Sequence, residues 1–434
     1  MSTSSHAVAM LEKEWTNDAR WAGVERPFGA AKVAGLRGTV QVQHTLAKAG
    51  SQKLWNLLNT DDFVYSLEAL TGKQAMQMAR AGQKAIYVSG WQVAADGNSG
   101  SEMVQDQSLY PLDSVPKVVK RINNTLLRAD QIHHADGNDE TDWILPLVAD
   151  AGIGGVLNAY ELMKSMIEAG AAAVHFEDQL SSTKKCGHRG AKVLVPTEEA
   201  IEKLVAARLA ADICDVPTII IARTDAESAG LLTSAQDKRD RHFCTGEKTQ
   251  EGLFRVRPGL EQAISRGLSY APYADVLWCE TSKPDLRFAN NFAKAIHARY
   301  PAKLLAYNCS PSFNWSQNMD RDTISRFQYE LGTMGYKLQF VTQADFHATS
   351  SATDDLARRY KDSGMSAYTE LQNREFGTES LDHIVTRHQR EDGTDYSDDL
   401  TQVIMYDKPS RRALYSSTEE ALFSKRSVFE LLEV

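Results

Sequence analysis

From about residue 62 onward, short apolar runs alternate with segments whose apolar positions recur at helical spacing. Most of the runs are continuously apolar, which is typical of strands buried on both faces of a parallel sheet. The predicted strands are 63–70, 85–89, 145–150, 172–178, 217–224, 275–281, 303–308 and 337–342. The predicted helices between them include 158–169, 198–211, 260–270 and 289–300. This alternation predicts an α/β protein built from βαβ units.

Nearly every predicted strand ends in a polar residue. These residues are Ser89, Asp150, Glu177, Arg223, Glu280, Asn308 and Thr342. One or two polar strand ends would mark only where solvent begins. In a (β/α)8 barrel, however, the carboxyl ends of all strands form the rim on which active sites are built. We therefore expect a (β/α)8 TIM-type barrel with an N-terminal helical segment and a C-terminal helical extension.

The same pattern divides the chain into three parts. We expect residues 1–60 to form an N-terminal helical segment, residues 61–345 the barrel, and residues 346–434 a C-terminal helical region with a lid segment. Two polar stretches, 91–140 and 226–258, are predicted to be loop excursions from the barrel. His133 and His134 lie in the first of them and are interpreted as a solvated turn rather than as metal ligands.

Composition and charge limit the kinds of binding partner and the cellular compartment that we expect. The 434-residue chain has a formal net charge of -9, spread along its length, which argues against nucleic acid or an anionic membrane surface as the main partner. Five widely spaced cysteines, without a C-x-x-C pair, favour free thiols in a reducing compartment. The first residues resemble no signal peptide, and no apolar run is long enough to cross a membrane. We expect a cytoplasmic protein.

The predicted rim combines three kinds of side chain. It offers the carboxylates Asp106, Asp150, Glu177 and Asp178, the cations Lys184, Lys185, His188 and Arg223, and the neutral donors Asn308, Ser310, Ser312 and Thr342. Oxygen ligands without a cysteine or histidine cluster suit Mg2+ better than zinc. The cations and donors suit a substrate with several carboxylates. Such a site could cleave a carbon–carbon bond of a 2-hydroxy acid and stabilise the enolate-like dianion that leaves.

Cys186 is the candidate proton donor in this scheme. Lys185 and His188 flank it, and positive neighbours favour the thiolate form of a cysteine. The alternative interpretation is a solvated surface loop in which Cys186 has no chemical role.

Four motifs in the chain resemble those of the isocitrate lyase family. They are Lys-Lys-Cys-Gly-His at 184–188, Ser-Gly-Trp-Gln-Val-Ala at 89–94, Asp-Gln-Ser-Leu-Tyr-Pro at 106–111, and Ala-Tyr-Asn-Cys-Ser-Pro-Ser-Phe-Asn-Trp at 306–315. The lysine–cysteine motif alone would also fit methylisocitrate lyases, whereas the set of four is specific. The resemblance extends from near Trp15 to about Gln343, and more weakly to Phe423.

The resemblance implies a Mg2+-dependent lyase that splits isocitrate into glyoxylate and succinate in the glyoxylate bypass. It also implies a barrel of the phosphoenolpyruvate mutase type and a homotetramer with exchanged C-terminal helices. Residues 417–420 resemble the family's C-terminal lid segment.

By motif position, the resemblance also assigns roles to individual residues. Asp150 would bind Mg2+, with Asp106 and Glu177 supporting it through water, and Cys186 would deliver a proton to the succinate carbanion, with His188 beside it. The substrate-binding residues would be Ser89, Gly90, Trp91 and Arg223 for the glyoxylate part, Asn308, Ser310, Ser312 and Thr342 for succinate, and Gly187 and Glu280 nearby.

One departure from the family pattern leaves alternatives open. Asp150 is followed by Ala-Gly-Ile-Gly-Gly at 151–155, a loop shorter than in the family and without its glutamate. This favours, as one alternative, a catalytically impaired or non-enzymatic paralogue kept for assembly. A methylisocitrate-type lyase is a second, because one methyl group changes discrimination by only about 1–3 kcal/mol. Gly152 and Gly154 after a strand also imitate a dinucleotide-binding unit, but Leu157 occupies the third glycine position.

Overall fold

The computed structural model describes residues 3–137, 140–185, 192–377 and 388–405. Within these ranges the chain forms a closed barrel of eight parallel strands. The barrel strands are β1 (Val64–Glu68), β2 (Ala85–Val88), β3 (Leu147–Asp150), β4 (Ala173–Glu177), β6 (Ile219–Thr224), β10 (Val276–Cys279), β11 (Leu304–Asn308) and β12 (Tyr336–Val341). Each lies within or next to one of the eight predicted apolar runs. The prediction of a (β/α)8 barrel is therefore confirmed.

The barrel closes because β1 pairs with both β2 and β12. The β2, β3 and β4 strands are buried at every position, as expected when a strand faces the barrel interior on one side and helices on the other. Aromatic side chains fill the interior below the rim: the Tyr87 ring stacks on Phe340 at 4.6 Å between centroids, and Trp278 meets Phe340 edge-on at 4.9 Å. This aromatic layer closes the barrel, so chemistry is confined to its mouth.

Helices precede, separate and follow the barrel strands. In chain order they are α1 (Thr3–Asn17), α2 (Ala30–Leu36), α3 (Thr45–Thr60), α4 (Gly72–Arg80), α5 (Gly90–Gln92), α6 (Ser114–Ala135), α7 (Val156–Ala169), α8 (Thr197–Cys214), α9 (Lys238–Arg241), α10 (Leu260–Tyr270), α11 (Leu286–Arg299), α12 (Trp315–Asn318), α13 (Arg321–Thr333), α14 (Ala344–Ser363), α15 (Met365–Gly377), α16 (His388–Glu391) and α17 (Thr394–Met405). Short 3-10 helices occupy Ala19–Trp21 and Ser181–Thr183, and a π-helical turn occupies Val93–Gly97. The four predicted helices 158–169, 198–211, 260–270 and 289–300 correspond to α7, α8, α10 and α11.

The two predicted loop excursions contain regular structure. The first holds α6, and His133 and His134 lie in its last turn, so the prediction of a solvated turn there is wrong. The second holds three strands, β7 (Leu231–Leu232), β8 (Cys244–Lys248) and β9 (Phe254–Val256), which join β5 (Val193–Leu194) in a four-stranded sheet. These strands are short or exposed, and so they lack the continuous apolar run that identifies a barrel strand.

The chain divides into two compact units. One comprises Met1–Leu126 and Asp142–Asp345 and contains the barrel. The other comprises Leu127–Thr141 and Phe346–Val434 and is helical where it is described. No helix among the described residues is both long and apolar enough to span a bilayer. The cysteines within the described ranges, Cys214, Cys244, Cys279 and Cys309, are free thiols.

Candidate active site

Two cavities among the described residues differ in their lining, and the smaller one brings the predicted site residues together. The larger, about 650 Å3, is lined by α1, α3 and the chain that leads into the amino end of β6. The smaller, about 30 Å3, lies at the carboxyl ends of the strands, where (β/α)8 enzymes place their active sites. Its lining residues are Tyr87, Ser89, Trp91, Asp106, Asp150, Arg223, Glu280, Asn308, Ser310, Thr342 and Gln343. Nine of the residues that the sequence analysis selected therefore meet at one cavity.

Asp150 is held at the end of β3 by backbone amides. Its Oδ1 accepts from the Gly152 amide at 2.7 Å, and its Oδ2 accepts from the Gly90 amide at 3.2 Å. A Cβ atom at Gly90 would lie 2.5 Å from Asp150 Oδ2, and one at Gly152 would lie 2.6 Å from Lys184 Nζ. Both positions therefore require glycine. The short loop 151–155 wraps closely around the carboxylate and fixes its orientation.

A buried carboxylate cluster surrounds one ammonium group. Lys184 Nζ lies 3.1 Å from Asp106 Oδ1, 3.6 Å from Glu177 Oε1 and 3.9 Å from Asp150 Oδ1. The four side chains are between 1% and 8% exposed. We call Asp106, Asp150 and Glu177 the acidic cluster. The single positive charge of Lys184 can balance only one negative charge of the acidic cluster.

The acidic cluster retains unused hydrogen-bonding capacity. Both carboxylate oxygens of Glu177 and Oδ1 of Asp106 are buried and contact Lys184 or Arg223 as ion pairs, but they accept no hydrogen bond from the described residues. Buried polar atoms in native proteins are nearly always hydrogen-bonded, so these oxygens have capacity for a further ligand. Among the described residues, no group of three or more His, Cys, Asp or Glu side chains is arranged to hold an ion directly. The oxygens suit a divalent cation that reaches part of the cluster through its own water ligands.

Burial and charge set the protonation of the cluster. Burial alone would raise the pKa of Asp150, but Lys184, His175 and Arg223 outweigh it and lower that pKa to about 2. At Glu177 burial dominates over Lys184 and Arg223 and raises the pKa to about 8. Asp150 is therefore the permanent anion of the site, and Glu177 takes up or releases a proton near neutral pH.

Arg223 is the cation at the end of β6. Asp225 binds it in two places, accepting from Nε at 2.9 Å and from Nη2 at 3.1 Å. The guanidinium also lies over the Trp278 ring, 4.5 Å from its centroid, and Nε is 3.5 Å from Glu177 Oε2. Within the described residues, Nη1 makes no hydrogen bond, and Arg223 lines the cavity. This arrangement suits the binding of a carboxylate.

Asn308, Ser310 and Thr342 supply uncharged polar groups to the cavity. Asn308 at the end of β11 donates to Glu280 at 3.2 Å and accepts from the Thr342 hydroxyl at 3.2 Å. Burial raises the pKa of Glu280, an effect that Arg223 opposes. Ser310 is buried and lines the cavity, whereas the Ser312 side chain is exposed and outside the cavity lining, and its backbone amide donates to Ser310 Oγ at 3.1 Å.

Asp178 is a predicted rim residue that does not line the cavity. It is buried beneath the rim and accepts hydrogen bonds from Thr224, Arg266 and Tyr270. Strand alternation explains this, because Asp178 follows Glu177 and faces the other side. Cys186, Gly187 and His188, and the predicted lid residues 417–420, lie outside the described residues.

Sequence reasoning missed several residues at the site. Tyr87, two residues before Ser89 at the polar end of this strand, lines the cavity, and its hydroxyl lies 2.8 Å from Nε2 of His175. Burial, helped by Asp150, raises the Tyr87 pKa well above its usual value. Gln343 also lines the cavity, in a left-handed backbone conformation with φ 67°. An apolar run hides Tyr87, and backbone conformation at a non-glycine residue has no sequence signal.

Two solved structures illustrate the likeness of the fold. A 2,3-dimethylmalate lyase, described as a PEP mutase/isocitrate lyase superfamily member, matches with a TM-score of 0.56 at 20% identity, covering 82% of this chain and 95% of that one. A phosphoenolpyruvate phosphomutase from Streptomyces platensis matches with a TM-score of 0.57 at 18% identity, covering 82% and 99%. At these identities the likeness concerns the fold.

Sequence relatives are much closer. Isocitrate lyase from Halalkalibacterium halodurans is 58% identical, covering 98% of this chain and 100% of the relative. Isocitrate lyase from Escherichia coli is 56% identical with the same coverage, and isocitrate lyase 1 from Mycobacterium tuberculosis is 51% identical, covering 95% and 97%. The model of the isocitrate lyase family matches residues 7–248 and 246–422. The chain belongs to the isocitrate lyase family.

Proposed function

We propose that the protein cleaves isocitrate to glyoxylate and succinate. The observation that carries the proposal is the cavity itself, which is lined by Asp106 and Asp150 of the acidic cluster, by Arg223 near the end of β6, and by the Asn308–Thr342 pair. A tricarboxylate with a hydroxyl group needs these three elements: an anion-rich metal site, a cation for one carboxylate and neutral donors for another. Membership of the family, at 58% identity over nearly the whole chain, supports the same reaction.

The proposed cofactor is Mg2+. Asp150 would hold it directly, and Asp106 and Glu177 would hold it through water, since their oxygens that accept no hydrogen bond suit a hydrated ion. When bound, the ion polarises the substrate hydroxyl and carboxylate and stabilises the negative charge of the leaving fragment.

Different residues of the cavity would bind the two parts of the substrate. Arg223, with Ser89, Gly90 and Trp91, would hold the part that becomes glyoxylate. Asn308, Ser310 and Thr342 would hold the part that becomes succinate, with Glu280 and Gly187 nearby, and Ser312 would join them through the hydrogen bond of its amide to Ser310.

Cys186 is the proposed proton donor, with His188 beside it. As the carbon–carbon bond breaks, the substrate hydroxyl gives its proton to a base and becomes the carbonyl oxygen of glyoxylate. The electron pair of the broken bond remains on the succinate fragment, the Cys186 thiol transfers a proton to that carbon, and the thiolate takes up a proton before the next turnover. This interpretation rests on the Lys-Lys-Cys-Gly-His motif, because positive neighbours let a cysteine exchange its proton near neutral pH.

The wider proposals follow the family. We propose a homotetramer with exchanged C-terminal helices, located in the cytoplasm and acting on small molecules without a nucleic-acid or membrane partner. The proposed parts of the chain are an N-terminal segment (1–60), a catalytic barrel (61–345) and a C-terminal region with a lid (346–434).

The deciding experiment measures glyoxylate release from isocitrate, with Mg2+ and with excess chelator. We expect turnover with Mg2+, loss of turnover with chelator, and recovery on adding Mg2+. Methylisocitrate serves as a competing substrate, and a higher kcat/KM for it would overturn the proposed substrate. Cys186→Ser should abolish cleavage while calorimetry still detects Mg2+ and glyoxylate binding. Unchanged turnover in this variant would refute the role of Cys186, and Mg2+-independent turnover would refute the proposed cofactor.

A further inference from the structure

A series of buried ionisable side chains, each in contact with the next, runs beneath the rim. Lys184 contacts Glu177 at 3.6 Å, Glu177 contacts Arg223 at 3.5 Å, and Arg223 binds Asp225. Lys192 completes the series, with its Nζ 2.7 Å from Asp225 Oδ1. All five side chains are between 0% and 8% exposed. Such contacts are little screened by solvent, so each charge depends on its neighbours.

In this series, Asp225 lies between Arg223 and Lys192 and contacts both. Its Oδ2 accepts from Arg223 Nε, and its Oδ1 accepts from both Arg223 Nη2 and Lys192. The Asp225 backbone amide donates to the buried Asp178 carboxylate at 3.0 Å, which fixes the position of the residue itself. One rigidly placed carboxylate therefore satisfies two buried cations that come from different parts of the sequence.

Lys184 and Lys192, the two lysines of the series, flank residues 185–188 in the sequence, which we call the Lys-Cys-Gly-His motif. Lys184 precedes Lys185-Cys186-Gly187-His188, and Lys192 follows this stretch. The chain is thus fixed on the near side of the motif at the acidic cluster and on the far side at Asp225. Arg223, which lines the substrate cavity, connects the two anchoring points.

We propose that Asp225 is a positioning residue that orients Arg223 for a substrate carboxylate and anchors the chain that follows the Lys-Cys-Gly-His motif through Lys192. Asp225 itself does not line the cavity, so it acts through these two cations. Because the bidentate contact occupies Nε and Nη2, it leaves Nη1 for the substrate in one fixed orientation. The inference deepens the proposed isocitrate cleavage and rests on it for the identity of the carboxylate.

The test replaces Asp225 with asparagine, which keeps the shape of the side chain and removes its charge. We expect glyoxylate to bind at least about tenfold more weakly by calorimetry, because Arg223 loses its fixed orientation. KM for isocitrate should rise by a similar factor. Trypsin should cleave after Lys185 or Arg189 at least about tenfold faster than in the wild type, since Lys192 loses its counter-charge.

Two further variants separate positioning from general stability. Asp212→Asn is the matched control, because Asp212 binds Arg26 in the same two-point manner, at 2.8 Å and 3.1 Å. Asp212 lines the larger cavity and not the smaller one that holds the proposed site. It should leave glyoxylate affinity, KM and cleavage after Lys185 unchanged. Lys192→Met retains the Arg223–Asp225 pair and should speed this cleavage while changing glyoxylate affinity less than Asp225→Asn does. It also tests the anchor if Asp225→Asn does not fold.

The outcomes are distinct. If Asp225→Asn matches the wild type in all three measurements, or shifts them no more than Asp212→Asn does, the inference is overturned. Cleavage by trypsin that is unchanged in Lys192→Met overturns the anchoring role. Because proteolysis and glyoxylate binding need no turnover, they can support the inference even if the wild type fails to cleave isocitrate, which would overturn only the proposed function.

Discussion

Lys184 Nζ lies 3.1 Å from Asp106 Oδ1, at the centre of the acidic cluster. An ammonium within about 4 Å of three carboxylates competes with any second cation, since two unit charges at this distance interact by about 4 kcal/mol at an effective dielectric constant of about 20. We predict that Lys184→Met binds Mg2+ at least about tenfold more tightly in the absence of substrate, measured by calorimetry.

Lys192→Met is the control for this prediction. It removes the same charge from the other side of the motif, where the partner is Asp225 rather than the acidic cluster. Its affinity for Mg2+ should stay within about twofold of the wild type. Weaker Mg2+ binding in Lys184→Met would show that the lysine helps to build the metal site instead of competing for it.

Gly90 tests whether turnover depends on the exact position of Asp150. A methyl group at Gly90 would lie 2.5 Å from Asp150 Oδ2 and 2.8 Å from the Tyr110 hydroxyl, so one of them must move. Since a shift of about 1 Å in a reacting group can cost about a hundredfold in rate, Gly90→Ala should lower kcat/KM by about that factor. Steady-state kinetics with isocitrate measure it.

The matched substitution is Gly29→Ala. Gly29 precedes α2 at φ -93°, and a Cβ there would meet nothing within 4 Å. This variant should keep the wild-type kcat/KM. Equal activity of the two alanine variants would mean that Asp150 tolerates displacement and that the close backbone approach is not needed for catalysis.

The sequence was sufficient to predict the barrel because each strand has a signal of its own. Most of the eight strands are buried on both faces, and the polar ends of the apolar runs identify the mouth of the barrel. The small sheet of β5, β7, β8 and β9 was missed because its strands have two to five residues and depend on pairing distant in sequence. The α6 helix was missed because polar residues dominate its exposed surface and the neighbouring loop obscures its start.

The site was predictable where side chains end a strand and not where they act through a neighbour. Asp150, Glu177 and Arg223 follow from this rule. Lys192 and Asp225 do not, because their importance lies in one contact between residues 33 positions apart. Asp178 was misassigned since two adjacent acids cannot both face the cavity, and composition alone does not tell which one does.

Asp275 supplies a prediction about stability. At the amino end of β10, its two oxygens bind Arg20 at 2.7 Å and Arg208 at 2.6 Å, and Oδ2 also accepts from the Ile220 amide. Burial opposes ionisation, but the two arginines outweigh it and hold the pKa of Asp275 well below its usual value. Asp275→Asn would leave two buried guanidinium groups without a counter-charge and should destabilise the protein by about 3–5 kcal/mol.

Denaturant unfolding at fixed protein concentration measures this change, because concentration affects the apparent stability of an oligomer. Asp354→Asn is the comparison, since Asp354 pairs with Arg358 at 2.7 Å on an exposed helix surface. An exposed pair of this kind contributes about 0–1 kcal/mol. Similar losses of unfolding free energy in the two variants would contradict the conclusion that the buried ion pairs of Asp275 stabilise the protein more than an exposed pair does.

Lys303 makes stability depend on pH in the alkaline range. Burial lowers its pKa from 10.5 to about 8, Asp275 opposes the shift, and Arg208 and Arg20 add to it. Below pH 8 the lysine is charged in both the folded and the unfolded chain. Between about pH 8 and 10.5 the unfolded chain holds more protons, so this lysine makes stability rise with pH in that window.

The size of the effect is limited by solvent. A shift of this size corresponds to at most about 3 kcal/mol, and partial exposure of the side chain reduces it to about 1–2 kcal/mol. Lys303→Met removes the titration together with the hydrogen bond from Nζ to the Ala274 carbonyl. Unfolding free energies at pH 8 and pH 10 should therefore differ between the two proteins, with the wild type gaining about 1–2 kcal/mol relative to the variant. Parallel pH profiles would show that Lys303 keeps an ordinary pKa in the folded chain. A wild type that loses stability relative to Lys303→Met would show that Asp275, rather than burial, dominates its surroundings.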